Sequence, residues 1–123
     1  MVTQISNLPD NMVGFKATND VEKADFEQVI VPAVEQIIEE RGKLNYMLVL
    51  DTSITNFSFG AWFEDAMMGL KHLLKWNRAA IITDVKGIQV FTRIFSALMP
   101  GEFRAFDHAD MQKAINWTST GQE

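Results

Sequence analysis

The sequence predicts one α/β domain over residues 1–123, in which an N-terminal β-hairpin joins a mixed sheet and helices then alternate with strands, in the order ββαβαβαβα. Three observations carry that reading. Two runs, YMLVLD at 46–51 and AAIITD at 79–84, are apolar almost throughout, the pattern of parallel strands covered by helices on both faces. The stretches before, between and after them place apolar residues at helical spacing. The segment MVGFKAT at 12–18 alternates instead, with Val13, Phe15 and Ala17 on one face.

Taken in order, TQISN at 3–7 forms the first arm of the hairpin, and Pro9 and Asp10 suit the centre of the turn before MVGFKAT. Asn19 or Asp20 then caps a helix, with Glu22 three residues after Asn19 in capping-box position. Phe26, Val29, Ile30, Ala33, Val34, Ile37 and Ile38 line one side of that helix, and Gly42 stops it. Pro32 removes one backbone donor inside it, so a bend is expected there. Between the two apolar strands, a helix from about 59 to 74 carries Trp62, Phe63, Ala66, Met67, Leu70, Leu73 and Leu74 on one side. A third helix follows from about 87 to 99, ended by PGE at 100–102, and FRAF at 103–106 is the last strand. Asp107 is expected to cap a final helix that turns Met111, Ala114, Ile115 and Trp117 inward.

Composition bounds the function. Sixteen acidic against eleven basic side chains leave a formal charge of −5, with no basic run beyond two residues, which excludes nucleic acid as a bulk electrostatic partner. Cysteine is absent, so thiolate catalysis, disulfides and cysteine metal sites are excluded. No apolar run approaches the roughly 18 residues of a membrane span, and the N-terminus does not read as a signal peptide. A soluble, cytoplasmic protein is expected. The glycines are scattered singly, without a phosphate-binding loop, and no cofactor or metal is expected.

The stretches LPDNMVGFKATN, FEQVIVPAVEQII with its mid-helix proline, WFEDAMMGLKHL, and RAAIITDVKGIQVFTRIFSALMPGEFRAF together resemble the SpoIIAA-like family, a bacterial branch of the STAS and CRAL-TRIO type folds. The resemblance implies a SpoIIAA-like (STAS-type) mixed sheet. It also implies two possible roles. Relatives that act as anti-sigma-factor antagonists are phosphorylated on a serine before the second helix, a position matched here by Ser58, where free amides at a helix start would stabilise a phosphate. That motif sets the serine directly before glycine; here Phe59 intervenes before Gly60, and an N-cap is the preferred role of Ser58. CRAL-TRIO relatives hold lipid-like ligands behind a movable helix.

Several residues could carry chemistry. Asp51 and Asp84 stand at the carboxyl ends of the apolar strands, the edge where open α/β sheets bind ligands; each is read in preference as capping the loop that follows it. His72 and His108 are read as solvated surface residues, and Glu64 and Asp65 diverge by about 100° on their helix and do not form an acid pair. No residue set supports an enzyme.

The apolar surplus of the third helix is the most informative feature. Gln89, Thr92, Arg93 and Ser96 form a polar stripe roughly 100° wide, and apolar residues cover the rest of its circumference. Trp62, Met68, Val90, Phe91, Ile94, Phe95 and Leu98 form the candidate interaction surface, Met68 lying within the polar stripe of the preceding helix. The function read from the sequence is a non-enzymatic interaction or regulatory domain. It binds a partner protein or self-associates into a homo-oligomer through helix 87–99; the alternatives are a carrier of a small apolar or lipid-like ligand and a phosphoswitch at Ser58.

Overall fold

The computed structural model describes residues 1–18, 23–51, 75–97 and 101–123. Strands β1 (Val2–Gln4), β2 (Val13–Thr18), β3 (Leu44–Asp51), β4 (Trp76–Ile82) and β5 (Glu102–Phe106) form one sheet in the order β1-β2-β3-β4-β5. β1 and β2 are antiparallel, and the remaining pairs are parallel. Helix α1 (Lys23–Asp25), a π-helical turn (Phe26–Ile30) and α2 (Val31–Arg41) connect β2 to β3. Helix α3 (Lys86–Ser96) connects β4 to β5, and a 3₁₀ turn (His108–Asp110) leads into α4 (Met111–Thr120). The mixed α/β sheet with its N-terminal hairpin is the architecture expected from the sequence.

The apolar runs of β3 and β4 are apolar on both faces because each face has its own helical cover. Val13, Phe15, Ala17, Leu44, Tyr46, Leu48, Ala79, Ile81 and Phe103 pack with Ile30, Val34, Ile37 and Ile38 of the α2 side and with Ile88 of α3. On the opposite face Met47, Val49, Ala80, Ile82 and Phe106 pack with Ala114 and Trp117 of α4. Each fully buried Leu or Ile contributes about 1.5–3 kcal/mol over its exposed state, so both helical layers are needed to make the sheet stable.

Local chemistry differs from expectation at several points. The hydrogen bond from Met12 N to Pro9 O, 3.2 Å, makes Asp10 and Asn11 the central residues of the hairpin turn, one position beyond Pro9 and Asp10. Pro32 sits in the first turn of α2, immediately after the π turn. The widened turn moves the chain past a position that has no N–H and whose ring would clash with the preceding turn. The helical conformation runs on through Ile30, φ −77° and ψ −51°, so a π turn stands where a bend was expected, while Gly42 ends α2 in the left-handed conformation, φ 74°, as anticipated. Asp107 precedes the 3₁₀ turn but makes no side-chain cap; its carboxylate accepts from Gln89 instead. The proposed cap at 19–20 and the helix from 59 to 74 lie outside the described residues.

The polar stripe of α3 is only partly its outer face: Arg93 is exposed, but Gln89 and Ser96 are half-buried and Thr92 is buried. Thr92 is 2% exposed and Val90 is 48% exposed. The Thr92 hydroxyl donates to Ile88 O at 2.8 Å, and Thr118 in α4 does the same to Ala114 O at 2.7 Å. A threonine that satisfies its hydroxyl on the preceding turn presents only its methyl group to the core. Ser96 faces β5 as well, its Oγ accepting from Phe103 N.

Glycine 101 is required by the turn into β5. Its φ is +87°, and a Cβ there would lie 2.6 Å from the Trp76 carbonyl oxygen and 3.1 Å from that of Asn77. Gly42 has a similar φ but open space around it. Urea denaturation is expected to show a loss of about 1 kcal/mol for Gly42→Ala and about 3 kcal/mol for Gly101→Ala, because backbone overlap adds to the left-handed cost. Equal losses would contradict the close approach.

Candidate functional site

The carboxyl ends of the four parallel strands deliver one polar side chain each to a single face of the sheet. Lys16 lies near the end of β2, Asp51 ends β3, Asp84 follows β4 by two residues, and His108 follows β5 by two. Thr18 pairs with Asp51 and Val49 with Ile82, so these positions are level with one another. Strand alternation puts Asp51 on the face of Met47 and Val49, and Asp84 on that of Ala80 and Ile82, the side covered by α4.

His108 joins the strand ends. Its backbone N–H donates to Asp84 Oδ1 at 3.0 Å, and its Nδ1 lies 3.0 Å from Asp84 Oδ2, so one carboxylate engages one residue twice. Its Nε2 lies 2.8 Å from Asp51 Oδ1, a charge contact outside hydrogen-bond alignment. Lys16 Nζ reaches the other oxygen of Asp51 at 3.2 Å. The turn that carries Asp84 is held from the side as well. Val85 N donates to Thr83 Oγ1, and the Gln89 amide donates to Thr83 O at 2.8 Å and to Asp107 Oδ1 at 2.7 Å.

Asp51 is the group whose titration this arrangement alters. The hydrogen bond from Lys16 is the main cause holding its carboxyl below the usual carboxylate value, helped by the charges of His108 and Lys16 and opposed by partial desolvation.

Both carboxylates approach His108, but on opposite nitrogens, so the three groups do not converge on one cation. Among the described residues no set of three acidic or imidazole side chains does. Each ring nitrogen faces a carboxylate, Nδ1 in a hydrogen bond to Asp84 and Nε2 beside Asp51 without one. The cluster is suited to clasping strand ends. Asp51 and Asp84 thus do more than cap their own loops, and His108 is not a solvated surface residue: its side chain is 30% exposed and bridges two strands.

The family model of SpoIIAA-like proteins matches residues 12–119. The chain belongs to the SpoIIAA-like family. A crystal structure of similar architecture is that of an uncharacterised DUF3478-family protein with a SpoIIAA-like fold from Shewanella loihica PV-4. It is 26% identical, with 95% of this chain and 93% of that chain covered and a TM-score of 0.66. No curated protein matches the sequence. The mixed sheet of this SpoIIAA-like chain is that of a STAS-type domain in the general sense.

The other candidate residues distribute as follows. Val90 is exposed on α3. Phe91, Ile94 and Phe95 lie along the same helix, and the placement of their side chains is outside the description. Ser58, Trp62, Met68, Leu98 and His72 lie outside the described residues. Lys16 and Gln89 were not anticipated as part of any site. The available signal was positional: KAT, VLD, ITD and FDH each place a polar side chain at or just beyond the end of a strand.

A depressed folded-state value means that Asp51 stabilises the fold fully above its unfolded value of about 3.9 and that this contribution disappears as pH falls through the folded value. The difference in urea midpoint between the wild type and Asp51→Asn is therefore expected to be larger at pH 6 than at pH 2.5. A difference that does not change with pH would show that the Lys16 and His108 contacts do not act on the ionised carboxylate.

Proposed function

We propose that this SpoIIAA-like chain is a non-enzymatic interaction domain that binds a partner protein or a second copy of itself through the outer face of α3. The carrying observation is an exposed apolar side chain on that helix: Val90 is 48% exposed while Thr92 is buried. Val85, at the entry to α3, is exposed too. Exposed apolar positions grouped at one element mark contact surfaces more often than scattered ones do. The carboxylate beside each His108 nitrogen supports the non-enzymatic part of the reading, since neither nitrogen faces open space for a substrate.

A second reading, a carrier of a small apolar ligand, is favoured by one observation in the core. Among the described residues, the Tyr46 hydroxyl and the Trp76 indole N–H are buried with no hydrogen-bond partner, and their rings meet edge-on with centroids 5.3 Å apart. Burial pushes the Tyr46 hydroxyl far above the usual tyrosine value, so it stays protonated as a donor. An orphaned buried donor costs about 1–3 kcal/mol, which a ligand acceptor would remove.

The readings separate in two measurements. Native mass spectrometry is expected to show an assembly larger than one chain that Val90→Glu reduces to a folded monomer; a monomeric wild type at high concentration, with no partner lost on mutation, would sink the first reading. Solvent extraction of the purified protein tests the second. A stoichiometric apolar compound, with Tyr46→Phe reducing its retention, is the result the carrier requires. A clean extract, with Tyr46→Phe equal to or more stable than the wild type, would remove it.

A further inference from the structure

β5 is the outer edge of the sheet, and its ends are already closed. At one end Ser96 Oγ accepts from Phe103 N at 3.0 Å; at the other Gln89 donates to Asp107 at 2.7 Å. Between them the backbone of Ala105 faces outward. Phe106 O accepts from Thr83 N on the β4 side, and successive residues of a strand point their N–H and C=O groups to opposite sides. The outward side opens into a groove of about 320 Å³ whose lining includes Arg93, Arg104, Ala105, Asp107, Asp110 and Glu123.

The charges in this groove are unequally committed. Asp107 is held by the Gln89 amide, and Asp110 lies 3.9 Å from Lys113. Arg104 is held in place from below, its guanidinium 5.0 Å from the Phe106 ring centroid and 5.8 Å from that of Trp117. The free side of that guanidinium carries a carboxylate from the chain itself, Glu123, at 2.6 Å. Both partners of that pair are nearly half exposed, and pairs of this kind contribute about 0–1 kcal/mol. The stacking holds Arg104 in position while the carboxylate can be replaced. Arg93, on the α3 wall, has no acidic partner among the described residues.

We propose that this groove is a docking site for a short acidic segment of a protein partner, and that Glu123 occupies its Arg104 subsite when no partner is bound. The segment runs extended beside Ala105, with one carboxylate on Arg104 in place of Glu123 and another on Arg93. The closed ends of β5 limit it to a few residues, so the site does not take a continuous strand. The overall charge of −5 does not oppose this, because exposed charges beyond about 8 Å are largely screened at physiological ionic strength. The inference deepens the interaction reading by giving the partner's chemistry, and its site is distinct from Val90.

Fluorescence anisotropy with labelled hexaglutamate, and with hexaglutamine as control, tests the proposal on the full chain. Hexaglutamate is expected to bind and hexaglutamine not to. Arg93→Gln and Arg104→Gln should each weaken binding about tenfold, and Glu123→Gln should tighten it about threefold by removing the internal competitor. Arg93→Gln keeps the test decisive if Arg104→Gln fails to fold, since Arg93 is exposed. Equal binding of the two peptides overturns the proposal. So does unchanged binding by a folded arginine variant, or no binding to either wild type or Glu123→Gln at millimolar peptide. The native mass of each arginine variant is measured beside its hexaglutamate binding, so that loss of self-association and loss of the groove are read separately.

Discussion

The burial of β3 and β4 on both faces is the constraint on which the rest of this structure depends. Their parallel pairing leaves no side of the central strands for water, so one helical layer cannot complete the core. α2 and α3 contribute to one face, and α4 is required on the other. α4 covers the second face, and the segment after it is paired to β5 through Glu123 and Arg104. The helix is held by side chains at both ends of the sheet.

At its start the clasp is His108, carried by the 3₁₀ turn onto Asp84 and Asp51. At its end Arg78 donates to Thr118 O at 3.0 Å and Ser119 O at 3.3 Å, and Asn11 donates to Ser119 O at 2.8 Å. These are carbonyls that the helix itself leaves unsatisfied, and a guanidinium placed there also meets the negative end of the helix dipole. Asn11 in turn accepts from Asn45, which accepts from Asn77. The buried Asn45 is thereby satisfied, and the hairpin, β3, β4 and α4 are joined at one end of the sheet while His108 joins the other.

At the carboxyl edge Lys16, Asp51, His108 and Asp84 face one another. Among the described residues, Val90 stands exposed on α3 between Lys86 and Arg93, and a charged groove lies beside β5. In the core, the Tyr46 hydroxyl and the Trp76 indole N–H are buried without a hydrogen-bond partner among the described residues.

What the sequence alone determined is what depends on one element at a time. The two apolar runs required a covered parallel sheet, the alternation at Val13, Phe15 and Ala17 set the inward face of β2, and Gly42 ended α2. These follow from short-range periodicity and backbone freedom, which any close reading of residue order contains. The misread residues share another property. Thr92 looked polar because composition does not show that its hydroxyl returns to Ile88 O. His108 looked solvated because Asp84, 24 residues earlier, becomes its partner only when α4 is laid across the sheet. Likewise the meeting of Arg104 with Glu123 depends on α4 packing across β3 and β4 and bringing the residues after it back to β5. Tertiary structure decided these points because they depend on which strand ends become level and on where α4 crosses them, and no local pattern encodes either distance.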